Sequence, residues 1–218
     1  MNTKTLSTKL RNFAALILCV PLLAGCFGAA VVGVGAGALM LADRRISENY
    51  VADEGIELRA ANQISQNHGE KVHINVTSFN RMVLLTGEAP TAAIKADIEK
   101  LVSGVPNVKS ISNELAIAGP SSFGGRGNDS YITSKVKARF VDANRFSANN
   151  VKVVTEAGVV FLLGLVTQAE ANAAVEIART TGGVQKVVRV FEIISPEQAR
   201  TIDSTVAPAK DATPAANK

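Results

Sequence analysis

Apolar residues recur along this chain at two alternating periods. Ile56, Ala60 and Ile64 return every fourth residue, and so do Ile132, Val136 and Phe140, which is the stripe of a helix with one buried face. Val72, Ile74 and Val76 instead alternate with polar residues, as do Val151 and Val153, so each helix is followed by a half-buried strand. The runs Met82 to Gly87 and Val159 to Gly164 are apolar almost throughout and predict central strands covered on both faces. Asn80 and Gly158 stand where the chain must reverse between the two strands of each pair. Ile94, Ile98 and Leu101 mark a second helix, and Thr167-Gln-Ala-Glu170 has the spacing of a capping box that opens its counterpart. Final strands are expected over about Val108 to Ile117 and Val187 to Ile194, each entered through a Gly-Val turn.

The two series are copies of one another. Asp53-Glu-Gly-Ile56 pairs with Asp129-Ser-Tyr-Ile132, Val83-Leu-Leu-Thr-Gly87 with Val160-Phe-Leu-Leu-Gly164, and Gly104-Val105-Pro-Asn-Val108 with Gly183-Val184-Gln-Lys-Val187. Order and near-constant spacing hold across all these blocks, which marks an internal repeat. The fold class is therefore α+β: two tandem modules, each helix-strand-strand-helix-strand, over 50–117 and 129–195. Gly87 and Gly164 recur at the same place and read as structural glycines, allowing a bulge or the close approach of a helix. A module of about 70 residues is near the lower limit for an independent core, so the copies are expected to pack on each other. The Gly, Pro and Ser of 118–128 read as a linker, and the Ala, Pro, Thr and Lys of 196–218 as a disordered tail.

Ahead of the modules, Lys4, Lys9 and Arg11 precede an uncharged apolar run from Phe13 to Ala24 that ends in Leu23-Ala24-Gly25-Cys26. This is a secretory signal over 1–25 closed by a lipobox, in which the Cys26 thiol takes a diacylglyceryl group and then an N-acyl chain. A Gly- and Ala-rich tether follows over 26–49, and whether its stretch Phe27 to Ala42 enters the membrane is left open by the sequence. Phe27, rather than an Asp, follows the cysteine, which favours the outer membrane over retention at the inner one. Cys19 leaves with the signal and Cys26 is blocked by lipid, so no disulfide or thiolate chemistry is expected.

Charge changes this picture little. Three of the 23 Lys+Arg precede Cys26, leaving 20 against 19 Asp+Glu, and near-neutrality together with the absence of Trp argues against a nucleic-acid partner. The distribution is uneven: Asp43 to Ile117 holds 8 bases and 10 acids, Gly127 to Ser195 8 bases and 6 acids. Neither His68, read as loop, nor His73, read as the outward position of a strand, has a Cys or His at metal-ligand spacing, so no metal is expected. No serine has nucleophile-elbow surroundings, and Asp53-Glu54 read as helix-start carboxylates that favour the dipole. No catalytic residues and no cofactor beyond the lipid on Cys26 are expected.

The doubled Val-x-Leu-x-Gly motif (Val83 to Gly87, Val160 to Gly164) with its later Gly-Val-x-x-Val resembles the BON domain. With the lipobox in front, the chain resembles the dual-BON outer-membrane lipoproteins over roughly Tyr50 to Ile194 and the signal. That resemblance implies a non-enzymatic module facing the periplasm that binds anionic phospholipid and supports outer-membrane integrity, with links to the division site and to outer-membrane protein assembly.

Winding the first helix of the second copy at about 100° per residue indicates where such a contact would sit. Once Ile132, Val136 and Phe140 face the core, Tyr131, Ser134, Ala138 and Val141 share another face, flanked by Lys135 and Lys137, with Arg139 nearer the core boundary. An exposed ring and methyls beside cations suit an anionic bilayer surface; the same side chains also suit packing against the linker or the other module. The first copy has Gly55, Glu57, Leu58 and Arg59 at matching positions and lacks the paired cations. A rival reading is a periplasmic adaptor that holds an assembly factor or a regulator of cell-wall hydrolases through an inter-module groove or a sheet edge.

Overall fold

The computed structural model describes residues 44–45, 47–69, 72–119 and 123–206. The chain divides into two compact units, Met1–Leu39 and Met40–Lys218, and all described residues lie in the second. Its elements are α1 (Ser47–His68), β1 (His73–Phe79), β2 (Met82–Ala89), α2 (Ala92–Ser103), β3 (Ser110–Asn113) and β4 (Ala116–Ile117) in the first module. The second contains α3 (Phe123–Ala143), a 3-10 turn (Ala148–Asn150), β5 (Lys152–Glu156), β6 (Val159–Val166), α4 (Gln168–Arg179) and β7 (Lys186–Ile193), and α5 (Pro196–Val206) follows it.

Both modules have the expected mixed sheet. β2 is central, antiparallel to β1 and parallel to β3 and β4; β6 is central, antiparallel to β5 and parallel to β7. Alternation along the central strands sends side chains to two different cores. Val83, Leu85 and Ala89 pack with Ile56, Ala60 and Ile64 of α1 and Ile98 and Val102 of α2. Val160, Leu162 and Val166 pack with Ile132, Val136 and Phe140 of α3 and Ala174 and Ile177 of α4. The intervening residues meet those of the other module: Phe79 and Leu84 join Phe161, Leu163 and Leu165 in one buried cluster. The two modules thus pack sheet against sheet, with their helices outermost. Each large apolar side chain removed from water contributes about 1.5–3 kcal/mol, so this third core supplies what a small module lacks alone.

Several boundaries differ from the sequence reading. The strand expected over Val108 to Ile117 is two short strands, because Leu115 turns into the core, 3% exposed, while the Glu114 N–H still bonds Leu85 O at 3.0 Å. α1 begins at Ser47, so Asp53 is not a helix-start residue. Its carboxylate instead accepts from the N–H groups of Asn80 (2.8 Å) and Arg81 (2.7 Å) and from Ser78 Oγ (2.7 Å). Asp129 does the same in the second module, accepting from the N–H groups of Ala157 and Gly158 at 2.9 Å each. Both hairpins are two-residue turns with positive φ at both central positions: Asn80 51° and Arg81 68°, Ala157 49° and Gly158 75°. That is the type I′ conformation, whose twist matches the strands but which disfavours side chains such as those of Arg81 and Ala157. A helix carboxylate bonded to the turn amides offsets this strain.

Gly87 is required by the close backbone of the neighbouring strand β1, and Gly164 by the last residue of the 3-10 turn. A Cβ at Gly87 (φ 109°) would lie 2.0 Å from His73 O, and one at Gly164 would lie 2.3 Å from Asn150 O.

α3 starts at Phe123, inside the segment expected to be linker, and the supposed tail opens with α5. Ser195 and Gln198 cap α5 reciprocally, Ser195 N–H to Gln198 Oε1 at 2.8 Å and Gln198 N–H to Ser195 Oγ at 3.2 Å, with Pro196 at its first position. α5 is held by a residue of the tether. Arg44, 6% exposed, donates to both carboxylate oxygens of Glu170 (2.7 and 2.9 Å), to both of Asp203 (2.7 and 2.9 Å) and to Leu165 O (3.1 Å). Glu170 also completes the capping box with Thr167. Burial pushes the Glu170 carboxyl up, but Arg44 and the Thr167 N–H outweigh it and hold the group below the usual glutamate range.

Candidate functional site

α3 buries the predicted stripe: Ile132, Val136 and Phe140 are fully enclosed. On the opposite face Tyr131 is 62% and Val141 65% exposed, and Ser134, Lys137 and Ala138 are exposed with them. The structure therefore brings these five residues to one exposed face, with Lys135 half-buried at its edge.

The two lysines differ in a way the helical wheel did not show. Lys135 is half-buried: its Nζ donates to Gly182 O and lies 4.5 Å from the centroid of the Tyr131 ring, one turn away. This cation–π contact props the ring outward and keeps the charge beside it. Lys137 makes no ion pair among the described residues and lines a cavity of about 370 Å³ with Val141, Arg45, Phe79 and Lys152. Arg139 is occupied within the module, donating to Ile177 O (3.1 Å) and Thr181 Oγ1 (2.9 Å). Arg45 and Lys152 gather near Lys137 only in the fold, and Arg45 is committed to Asp53 at 2.9 Å and Lys152 to Glu57 at 3.1 Å. Asp142 is exposed beside Val141 and partly balances the cations at that end.

The first module has an exposed face of its own. Val51 and Leu58, two turns apart on α1, are 69% and 65% exposed. Gly55 stands where α3 has Tyr131, and the exposed charges include Glu48, Glu54 and Arg59. The two helices therefore differ in aromatic content and charge rather than in exposed aliphatic groups.

Of the residues set aside on sequence, His68 ends α1 instead of lying in a loop, its Nε2 2.9 Å from Asp97 Oδ2. His73 does not point outward to solvent; it lies on the face of β1 that meets the second module, its Nδ1 3.0 Å from Glu88 Oε2. Cys26 lies outside the described residues. Among those residues no helix is long and apolar enough to cross a membrane.

Comparison with known proteins identifies the family of the two modules. The BON domain family matches twice, over residues 52–119 and 128–195. Over 187 residues the chain is 35% identical to the outer membrane lipoprotein DolP of Haemophilus influenzae, covering 85% of this chain and 97% of that protein. It is 36% identical over 154 residues to a 21 kDa hemolysin of Actinobacillus pleuropneumoniae, covering 70% and 79% respectively. The osmotically-inducible protein Y of Escherichia coli is 30% identical over 143 residues, 64% of this chain and 71% of that one. Among solved structures, the CdsD protein of the Chlamydia trachomatis type III secretion system aligns with a TM-score of 0.29 at 13% identity, covering 71% of this chain and 97% of that one. With both modules matched in full and a DolP relative aligned through nearly its whole length, the chain belongs to the BON-domain family, as a two-module, DolP-like member.

Proposed function

We propose that this chain is an outer-membrane lipoprotein, anchored through an acylated Cys26 and facing the periplasm, whose second module engages anionic phospholipid through α3 and thereby supports envelope integrity. The observation that carries this reading is the pair Tyr131 and Val141, 62% and 65% exposed on one face. Lys135 is stacked on the ring and Lys137 stands without an ion-pair partner among the described residues. The ring and methyls enter the headgroup boundary while the ammonium groups are drawn to lipid phosphates.

The attraction is weak. Each cation near an anionic leaflet contributes on the order of 1 kcal/mol, so α3 alone gives reversible attachment. A lipid on Cys26 raises the effective concentration of the bilayer around the module, and weak affinity then suffices to orient it or to favour zones rich in anionic lipid, the division site included. The name of the DolP relative, an outer membrane lipoprotein, supports the same compartment and anchor for this chain.

A second reading, an adaptor that holds a protein partner of outer-membrane assembly or cell-wall hydrolysis, rests on Val51 and Leu58, an exposed apolar pair with acids nearby. Vesicle sedimentation at low salt separates the two. Unlipidated protein should pellet with phosphatidylglycerol or cardiolipin vesicles more than with phosphatidylcholine, and Tyr131→Glu should release it. Equal recovery with neutral and anionic vesicles, or unchanged binding by Tyr131→Glu, refutes the lipid reading.

A further inference from the structure

The face on which the two sheets meet is apolar at its centre, but at one end it carries a cluster of polar donors drawn from both modules. His73 and Glu88 stand directly opposite each other on β1 and β2. Their side chains are 19% and 7% exposed, with Nδ1 and Oε2 3.0 Å apart. Glu156, at the end of β5 in the other module, is brought to them by a 2.8 Å hydrogen bond from Asn75 Nδ2. One donor atom from each of His73, Glu88 and Glu156 lies within 4.8 Å of the others. One buried polar group of this region lacks a partner. Thr86, paired with Asn75 in the register, has a buried hydroxyl oxygen with no hydrogen-bond partner. A cavity of about 360 Å³ opens beside the cluster, lined by His73, Asn75, Asp129, Thr155 and Glu156 together with Arg126.

We propose that His73, Glu88 and Glu156 form a binding site for one divalent transition cation, of the zinc type, that bridges the two modules. One imidazole nitrogen and two carboxylate oxygens are the three-donor set of an open tetrahedral site whose fourth position is left to water. The absence of a thiolate among them favours Zn²⁺ or Mn²⁺ over a soft ion. Metal–ligand distances of about 2.0–2.2 Å give donor separations of about 3.3–3.6 Å in a tetrahedron. The His73–Glu88 pair is already close to that spacing, and a change of rotamer at Glu156 supplies the rest. The cation draws donors of both modules onto one centre, so it clamps the second module to the first. Sequence spacing does not reveal the site, because the ligands are separated by one hairpin on one side and by a whole module on the other.

The test uses the full chain in detergent with Cys19→Ser and Cys26→Ser, so that no thiol competes for metal, after treatment with chelator. Calorimetric titration with ZnCl₂ should show one equivalent bound and a rise in Tm. His73→Ala and Glu156→Gln should each weaken the affinity at least about tenfold, and His68→Ala should leave it unchanged. The histidine rings also report directly in the chain with an unaltered interface: on adding Zn²⁺, the NMR signals of the His73 ring should shift and those of His68 should stay. No saturable binding, wild-type affinity in both ligand variants, or a shift confined to the His68 ring overturns the proposal.

Discussion

Module one and module two share a skeleton to the level of single residues, and they differ in what has been added to it. Asp53 and Asp129 hold the same hairpin turn, and α2 and α4 are opened by the same Thr cap, Thr91 and Thr167. The second module alone receives the Arg44 clamp and α5, and its first helix presents Tyr131 with two lysines where the first module presents Gly55, Leu58, Arg59 and acids. Duplication thus preserves the groups that close the turn and the core while the outward helix faces diverge. The shared part carries the fold, and the divergent part is where the proposed lipid contact of the second module lies.

The largest effect should come from the feature that most separates the modules. Arg44→Met leaves the Glu170 carboxylate half-buried without its cation and frees Asp203. Loss of one partner from a buried ion pair costs about 3–5 kcal/mol, and the exposure of Asp203 places this case near about 3 kcal/mol. Denaturant unfolding should report that loss, and limited proteolysis should show α5 cut first. Because the folded state holds Glu170 below its ordinary pKa, the clamp's contribution is complete above the usual glutamate range. It fades as pH falls through that range toward the depressed value, since the unfolded chain binds the proton first. Wild type and Arg44→Met should therefore converge in stability on acidification.

An effect of comparable size tests the shared part. Asp53→Ala removes acceptors for two turn amides, Ser78 Oγ and Arg45, whereas Asp129→Ala removes those for two amides. Hydrogen bonds to a charged group contribute about 1.5–3 kcal/mol, so both variants should be destabilised, Asp53→Ala the more. Equal melting temperatures for the two would remove the claim that the first hairpin is held more heavily. Tyr131→Glu and Lys137→Glu should leave Tm within a degree or two of wild type, as exposed substitutions do. They should lower affinity for anionic vesicles by about tenfold, or about 1.4 kcal/mol, while Leu58→Glu on α1 should not. The smallest effect is a gain: Ala157→Gly relieves a side chain at φ 49° and should stabilise the second hairpin by about 0.5–1 kcal/mol.

Much of this architecture is legible in the sequence because it is local. Stripes such as Ile132-Val136-Phe140, alternation at Ile74 and Val76, and the cap at Thr167 each act within one or two turns of chain. The repeat then supplies the topology twice. What escapes is long-range and polar. Nothing near Arg44 announces that its carboxylates lie 126 and 159 residues away. Asp53 reads as a helix-start residue because a carboxylate there has a local use, and only the folded hairpin reveals the stronger one. α5 did carry a local signal, Ser195-Pro-Glu-Gln198, overridden by the composition of the tail that follows. At the candidate membrane face Tyr131 and Val141 are exposed, as periodicity indicates, but the fate of each lysine depends on Gly182 and on the inter-module cavity, which no helical wheel contains.

Of the two related helices, only α3 is proposed to meet the bilayer. Backbone-amide NMR of the full chain, titrated with phosphatidylglycerol bicelles, tests it residue by residue. The account requires shifts concentrated between Tyr131 and Val141 on α3, with Val51 to Leu58 on α1 unmoved; shifts centred on α1, or none on either helix at saturating lipid, would contradict it.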